Sequence, residues 1–397
     1  MNSDQVYLAL LEIFILVTVA QGLKVASSKA RVPPLIMELL TGLILSPFAL
    51  GSFLNTITGY QIFTINSYLI LFSEFSVILL IFASGLEHGF KSLRTSGTLA
   101  SLAATFGAVL PFVGVFLYMS RFVSFNVAIL MGAASAATSL AAVASIIEGE
   151  KLENERYVKI TLSAAAIDDV VAFIILSVSL AIIDSGGLTF FDVLKITLTV
   201  VISWIIIFFA SVFIIPRIIS VVSDSLVVDV SLLVLFVLVT IMITLGFSPI
   251  IAAFIAGVAI AESRKAERIR GMVKTMIGIF GSLFFISIGA QTDVFTFISP
   301  SVLIQGTIIT LIAVALKFAG IYPFAYLYNR DGKKALASSL GMIPRGEMGL
   351  VISSIAFSSG IFDQVDLSEV IFMSLATTVI GAIAFERSTR SIMKTEA

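Results

Sequence analysis

Apolar runs of about twenty residues recur from one end of this sequence to the other, and that recurrence leaves few ways to fold. A run of that length crosses a bilayer as a helix. Only 12% of the 397 residues are charged, 58% are hydrophobic and the mean hydropathy is +1.11. A soluble globular chain carries about 25% charged residues. The expectation is an all-α integral membrane protein. With no cysteine in the chain, disulfides, thiol chemistry and thiolate metal sites are excluded. The single histidine, His88, falls in a charged stretch read as a solvated loop. No phosphate-binding glycine loop appears, so neither a nucleotide nor a nucleic-acid partner is expected, and no cofactor. The first apolar run lacks a basic leader and a small-residue cleavage site, and reads as a retained span.

Breaking the chain at charges, Gly, Pro and Asn/Asp clusters gives about 13 spans: 5–24, 33–51, 65–84, 96–119, 124–147, 157–184, 191–216, 225–245, 247–262, 275–296, 300–328, 335–359 and 367–386. The eighth and ninth are joined by a tight GFSP turn, and Glu262–Lys274 is expected as a loop or short interfacial helix. Lys and Arg collect on the cytoplasmic side of membrane proteins. Here 20 of the 24 fall in one set of alternate loops, among them Lys29, Arg31, Lys91 and Arg94. The opposite set holds only Arg121 and Lys195; Lys317 and Arg345 fall inside spans. The N-terminus is therefore placed outside and the C-terminus in the cytoplasm.

A charge at the bilayer centre costs about 2.5–3.5 kcal/mol on insertion scales, and such residues usually line ion or proton paths. Asp168 and Asp169 sit mid-way along the sixth span, and Lys317 mid-way along the eleventh. Adjacent helical residues point about 100° apart, so the two acids cannot face one partner equally. One is expected to pair with Lys317. The other, facing water, can hold a proton or a small cation but not both. Glu12 and Glu38, near span ends, are expected to snorkel or bond a neighbouring helix. Glu74 is expected in a supporting charge network with Arg345 and Glu347.

Span twelve contains GMIPRGEMGL (Gly341–Leu350), where Pro344, Gly346 and Gly349 would interrupt a helix. Backbone unwound at membrane depth survives only where protein or water satisfies it. Span five contains the small-residue run MGAASAATSLAAVAS. If span seven is a linker, spans one to six and eight to thirteen form halves of opposite orientation, and five matches twelve. That arrangement points to inverted six-helix repeats with broken helices crossing near the acids, the sequence pointer to a transporter site.

Several motifs carry a resemblance: FSEFSVILLIFASGLE (Phe72–Glu87), AATSLAAVA (Ala136–Ala144), AIDDVVAF (Ala166–Phe173), SPIIAAFIAGVAIAES (Ser248–Ser263), FFISIGAQTD (Phe284–Asp293), Lys317 and MIPRGEMGLV (Met342–Val351). The chain resembles the monovalent cation–proton antiporter superfamily, second branch, in its bacterial NapA-type sodium–proton antiporters. The resemblance implies that Asp169 binds the ion or proton and that Asp168 is the salt-bridge partner of Lys317. Thr138 and Ser139, in an unwound part of span five, would help ligate the transported sodium held by Asp169 and Asp168. It implies a dimerising panel (1–94 and 224–298), a moving core (95–185 and 299–397) and a linker helix (186–223). It also implies a homodimer in a prokaryotic plasma membrane and electrogenic exchange. Ser139 stands where the electroneutral branch has an acid, and Ala165 where that branch has a serine. No nucleotide-binding domain of the potassium-efflux type is expected after the last span.

The leading expectation is therefore a secondary sodium (or lithium)–proton antiporter, not an enzyme. Potassium–proton exchange on the same scaffold is the alternative, since ligand count and cavity size set the cation. A sodium-coupled organic-anion symporter would have no use for Lys317 as a titrating partner. An intramembrane aspartyl protease needs its two aspartates on separate helices, and adjacent ones on one helix cannot form that dyad.

Overall fold

A computed structural model of the chain describes residues 3–27, 33–95, 97–186 and 189–396. Lys29 and Arg31 lie outside the described residues, as do the side chains of His88, Lys91 and Arg94. The described residues contain seventeen helices and no strand. Among the described residues nine helices are long and apolar enough to cross a membrane: α1 (Ser3–Ser27), α4 (Ser67–Thr95), α5 (Gly97–Met119), α8 (Arg156–Ser185), α9 (Phe190–Val221), α10 (Val227–Thr244), α12 (Ala266–Gln291), α14 (Pro300–Asn329) and α17 (Gln364–Glu396).

The other four expected spans are not single long helices. Span two is α2 (Pro34–Ile44), followed by a turn and the short α3 (Leu50–Thr58). Span nine is α11 (Pro249–Ala261). Span five is split into α6 (Phe125–Ala136) and α7 (Ala141–Gly149), and span twelve into α15 (Gly332–Gly341) and α16 (Glu347–Ser358). An 11-residue helix is about 17 Å long, well short of a hydrocarbon core of about 30 Å. Short helices at such depth need protein rather than lipid around their ends. The burial fits this: α11 is buried from Ile250 to Ile260 and α6 from Val127 to Ala136.

Three smaller expectations change. The segment around His88 is not a loop; α4 runs through it with a kink at Gly89 (φ 55°). The basic segment after Glu262 is a brief turn, and from Ala266 it is the first turns of α12 rather than a separate interfacial helix. Gly349 lies inside α16; the interruption of span twelve covers Met342–Gly346. The GFSP turn forms as its residues suggest. Gly246 takes φ 80° past the end of α10, Ser248 accepts a hydrogen bond from the Ile250 N–H, and Pro249 opens α11, the arrangement a helix start favours.

The chain divides into two compact units, residues 1–91 with 198–295, and 92–197 with 296–397. The boundary between the units falls within α9, at residues 197 and 198. In the second unit α5 and α14 pack on each other; α6 and α8 flank α5 as α15 and α17 flank α14. In the first unit α2 packs on α12 through Gly42 and Gly289, and α4 meets α11 through Gly85 and Gly257. The seven-span offset turns one of these glycine contacts into the other. It returns the α5–α14 contact, made through Gly107 and Gly320, to itself. Small residues permit such close backbone approach between membrane helices.

A side chain at Gly42 would place its Cβ 2.0 Å from the Ile286 carbonyl oxygen, whereas Gly22 on α1 has nothing within 4 Å. Gly42→Leu is expected to destabilise the protein by at least about 1–3 kcal/mol, the usual cost of overpacking. Gly22→Ala should leave the melting temperature in detergent unchanged or slightly raised. Equal melting temperatures for both variants and the parent would show that the α2–α12 contact is not tight.

Candidate functional site

The sixth span brings its two acids into the second unit on α8, a 30-residue helix buried through Asp168 and Asp169. Asp168 is 0% exposed, and its Oδ1 accepts a hydrogen bond from Lys317 Nζ at 2.7 Å. Lys317, on α14, is also 0% exposed and donates a second bond of 2.7 Å to the Ala136 carbonyl. Asp169 is turned about 100° away from Asp168 and is 7% exposed. The pairing expected of the two acids thus falls to Asp168. The Thr138 hydroxyl lies beside the Asp168 carboxylate but donates to the Met342 carbonyl at 3.3 Å. Asp168 Oδ2 is left buried without a hydrogen-bond partner.

The lysine bond to Ala136 explains how span five breaks without a proline. Ala136 ends α6, and the last four carbonyls of a helix have no partner within it. They also carry the negative end of the helix dipole. Lys317 takes the Ala136 carbonyl. Arg345, 0% exposed, takes the Ser135 carbonyl through Nε at 2.5 Å. Its two other nitrogens donate to the carbonyls of Ala313 (2.8 Å) and Ile343 (3.2 Å). Residues 137–140 are then non-helical and cross the matching break in span twelve. There the Ser139 N–H donates to the Pro344 carbonyl at 2.7 Å, and the Ser139 hydroxyl donates to a Glu347 carboxylate oxygen. The Arg345 N–H donates to Thr377 Oγ1 at 3.2 Å, fixing the second break to α17.

Asp168, Asp169, Lys317, Thr138, Ser139, Arg345 and Glu347 therefore meet in one unit. Glu74 sits half-buried on α4, in the first unit. Arg345 also departs from expectation, because its side chain binds backbone carbonyls rather than an acid. Glu12 and Glu38 are both buried and do not snorkel. Glu38 accepts from Ser282 on α12 at 2.8 Å, as a bond to a neighbouring helix would have it. Glu12 instead accepts from the backbone of Thr64 (2.8 Å) and the side chain of Asn66 (2.5 Å) in the extended segment before α4. Sequence reasoning passed over Thr377, whose only signal was a hydroxyl at helical spacing on span thirteen. Among the described residues no three His, Cys, Asp or Glu side chains converge as a metal site. A cation here would draw its ligands from one or two carboxylates plus hydroxyls and freed carbonyls.

Removing one partner of a buried ion pair costs about 3–5 kcal/mol, because the other charge is left uncompensated. Lys317→Met is expected to lower stability by that amount. The double variant Asp168→Asn/Lys317→Met should recover most of it, a coupling readable as a thermodynamic cycle from melts in lipid nanodiscs. Additive losses would mean that the two side chains do not interact.

The family described as "Sodium/hydrogen exchanger, transmembrane" matches residues 13–387. The high-affinity Na+/H+ antiporter NhaS3 of Synechocystis sp. is 30% identical over 318 residues, covering 78% of this chain and 69% of its own length. The Na+/H+ antiporter of Enterococcus hirae is 26% identical over 372 residues (92% and 94%). The Na+/H+-K+ antiporter GerN of Bacillus cereus is 27% identical over 361 residues (88% of each). The fold is similar to that of the solved sodium proton antiporter MjNhaP1 from Methanocaldococcus jannaschii, with a TM-score of 0.71 at 17% identity over 94% of this chain and 95% of that one. With the family matched across nearly the whole length and its fold reproduced, the chain is a multi-pass membrane transporter that belongs to the sodium/hydrogen exchanger family.

Proposed function

We propose that this protein is a secondary sodium–proton antiporter in which a cation and a proton compete for Asp169. The observation that carries the reading is the buried Asp168–Lys317 pair with a second carboxylate beside it, where two broken helices cross. Counting charges supports it. Asp168, Asp169 and Glu347 contribute three negative charges when ionised, and Lys317 and Arg345 two positive ones. The cluster is one positive charge short. In a low-dielectric surround that deficit favours taking up a single cation or proton, and the same acid cannot hold both. Ser139, Thr138 and the carbonyls of the two breaks would supply neutral oxygens to a cation, while Asp168 stays with Lys317.

The finer features belong to the same proposal. The second unit carries the whole cluster and acts as the transport domain. Moved as a body, it exposes Asp169 to each side in turn, and the first unit is the dimerising panel of a homodimer. The segregation of Lys and Arg puts the C-terminus in the cytoplasm of a prokaryotic cell, at its plasma membrane. A lysine-paired acid with a second carboxylate next to it in the helix favours electrogenic exchange. Potassium is the second reading, favoured by the likeness to GerN.

In everted vesicles, adding sodium or lithium is expected to collapse an imposed proton gradient, and potassium tried in the same way decides the second reading. Asp169→Asn should abolish the response; exchange that persists undiminished would overturn the role of Asp169. Lys317→Gln is expected to keep exchange but remove its dependence on membrane potential. A variant still driven by voltage would sink the role given to the lysine.

A further inference from the structure

The crossing leaves one buried acid on α17 unexplained. Asp363 and Asp366 have ordinary work at the start of that helix. Asp363 Oδ1 accepts from the Val365 and Asp366 N–H groups, and Asp366 Oδ2 accepts from the Asp363 N–H at 3.1 Å. This reciprocal arrangement is that of a capping box. Glu369, one further turn along, has no such role. It is 4% exposed, makes no hydrogen bond or ion pair among the described residues, and its Oε2 is fully enclosed without a partner.

Among the described residues no cation pairs with it; Arg345, which bonds α17 at Thr377, has its guanidinium committed to the carbonyls of Ser135, Ala313 and Ile343. Of the helices packed on α17, α6 carries no charged residue, α16 only Glu347 and α7 only Glu148. The one charge on α14, Lys317, is committed to Asp168 and Ala136. Lys333 and Lys334 of α15 lie at the other end, where Ala337 packs with Phe385 and Ile392 of α17. Arg387, Arg390 and Lys394 also lie in that C-terminal half of α17. Near the start of α17 the apolar cluster around Val370 and Met373 is completed by α5, α8 and the beginning of α9. There α5 is uncharged, and Arg121, Asp184, Asp192 and Lys195 are all exposed. The charges that do act on Glu369 are those of Asp366 and Asp363, which are of its own sign.

A carboxylate buried beside two others with no cation is strongly disfavoured, and such a group neutralises itself instead. The burial is also graded. Asp363 is exposed, Asp366 is 7% exposed and Glu369 4% exposed. Each step is three residues, about 4.5 Å along the helix and on nearly the same face. Continued by eight residues, about 12 Å, that face reaches Thr377, which receives the Arg345 N–H.

From this geometry we propose that Glu369 is a second proton-binding carboxyl of the transport unit, reached from water by way of Asp363 and Asp366. A proton from bulk water adds to the Glu369 carboxylate to give the neutral acid and leaves by the same steps. Its part in exchange rests on the antiporter reading; its protonation does not. Glu369 sets the proton occupancy of one face of the unit, while Asp169 remains the group that the cation contests.

Infrared difference spectra of the full-length protein in lipid, taken across a pH series, test this. Glu369→Gln is expected to remove the carbonyl stretch of one protonated carboxylic acid. In the parent protein that band should vanish reversibly as pH rises. Asp366→Asn should move the pH at which it vanishes, whereas the exposed control Asp192→Asn should not. A spectrum unchanged by Glu369→Gln, or a band that persists at every pH at which the protein stays folded, would overturn the proposal. If Glu369→Gln does not fold, the Asp366→Asn comparison still decides, and an unmoved midpoint counts against it. In proteoliposomes, Glu369→Gln is expected to flatten the pH dependence of sodium-driven proton flux on one face only, and an unaltered profile on both faces refutes the role in exchange. Absence of sodium-driven flux in the parent protein would instead defeat the antiporter reading and leave the infrared result standing.

Discussion

Everything at the centre of this protein depends on how the cut end of α6 is satisfied. A helix that stops in the middle of a membrane leaves bare carbonyls and the negative end of a dipole that lipid cannot satisfy. Here the carbonyls of Ser135 and Ala136 are met by the side chains of Arg345 and Lys317. Neither cation could be buried so deeply without such partners. The break and the two cations therefore require each other. Lys317 in turn requires an anion, and Asp168 is the one it meets.

This dependence sorts the charges into two kinds. Arg345, with three carbonyl partners, belongs to the framework that keeps the crossing open. Lys317 belongs partly to that framework, since it bonds a carbonyl and a carboxylate at equal distance. Proton or cation binding next to Asp168 would act on the same ammonium that seals α6. A link of that sort gives a physical route from ion occupancy to the packing of the unit, because any weakening of the pair is felt at the helix end.

The pseudo-symmetry has a comparable logic. Each half of the second unit supplies a long helix, a broken pair and a second long helix. Each break is bonded by the other: Ser139 to Pro344, Thr138 to Met342. A single unwound segment would have orphan backbone groups; two crossing segments supply each other. The three glycine contacts follow the same symmetry. They allow helix backbones to approach closely where a side chain would collide with a carbonyl 2.0–2.5 Å away.

Much of this was legible before any coordinates. Hydropathy and the placement of Lys and Arg located the spans, because backbone desolvation and loop charge act locally along the chain. Pro344 and Gly346 marked the break in span twelve for the same reason, and the tight turn at Gly246–Pro249 was readable from its residues alone. What only the tertiary structure decided was the use made of each charge. Arg345 went to carbonyls rather than to an acid and Glu74 fell in the other unit, while the choice of Asp168 over Asp169 for Lys317 was implied by the family resemblance and not by the spacing of the residues. Span five, with no proline or glycine at Ala137–Leu140, broke because bonds from α14 and from the second break replaced its own. Those choices rest on contacts between residues about 150 to 210 positions apart. No local pattern encodes which distant donor will reach a given carbonyl, and so composition and periodicity could announce the helices but not the partners of their ends.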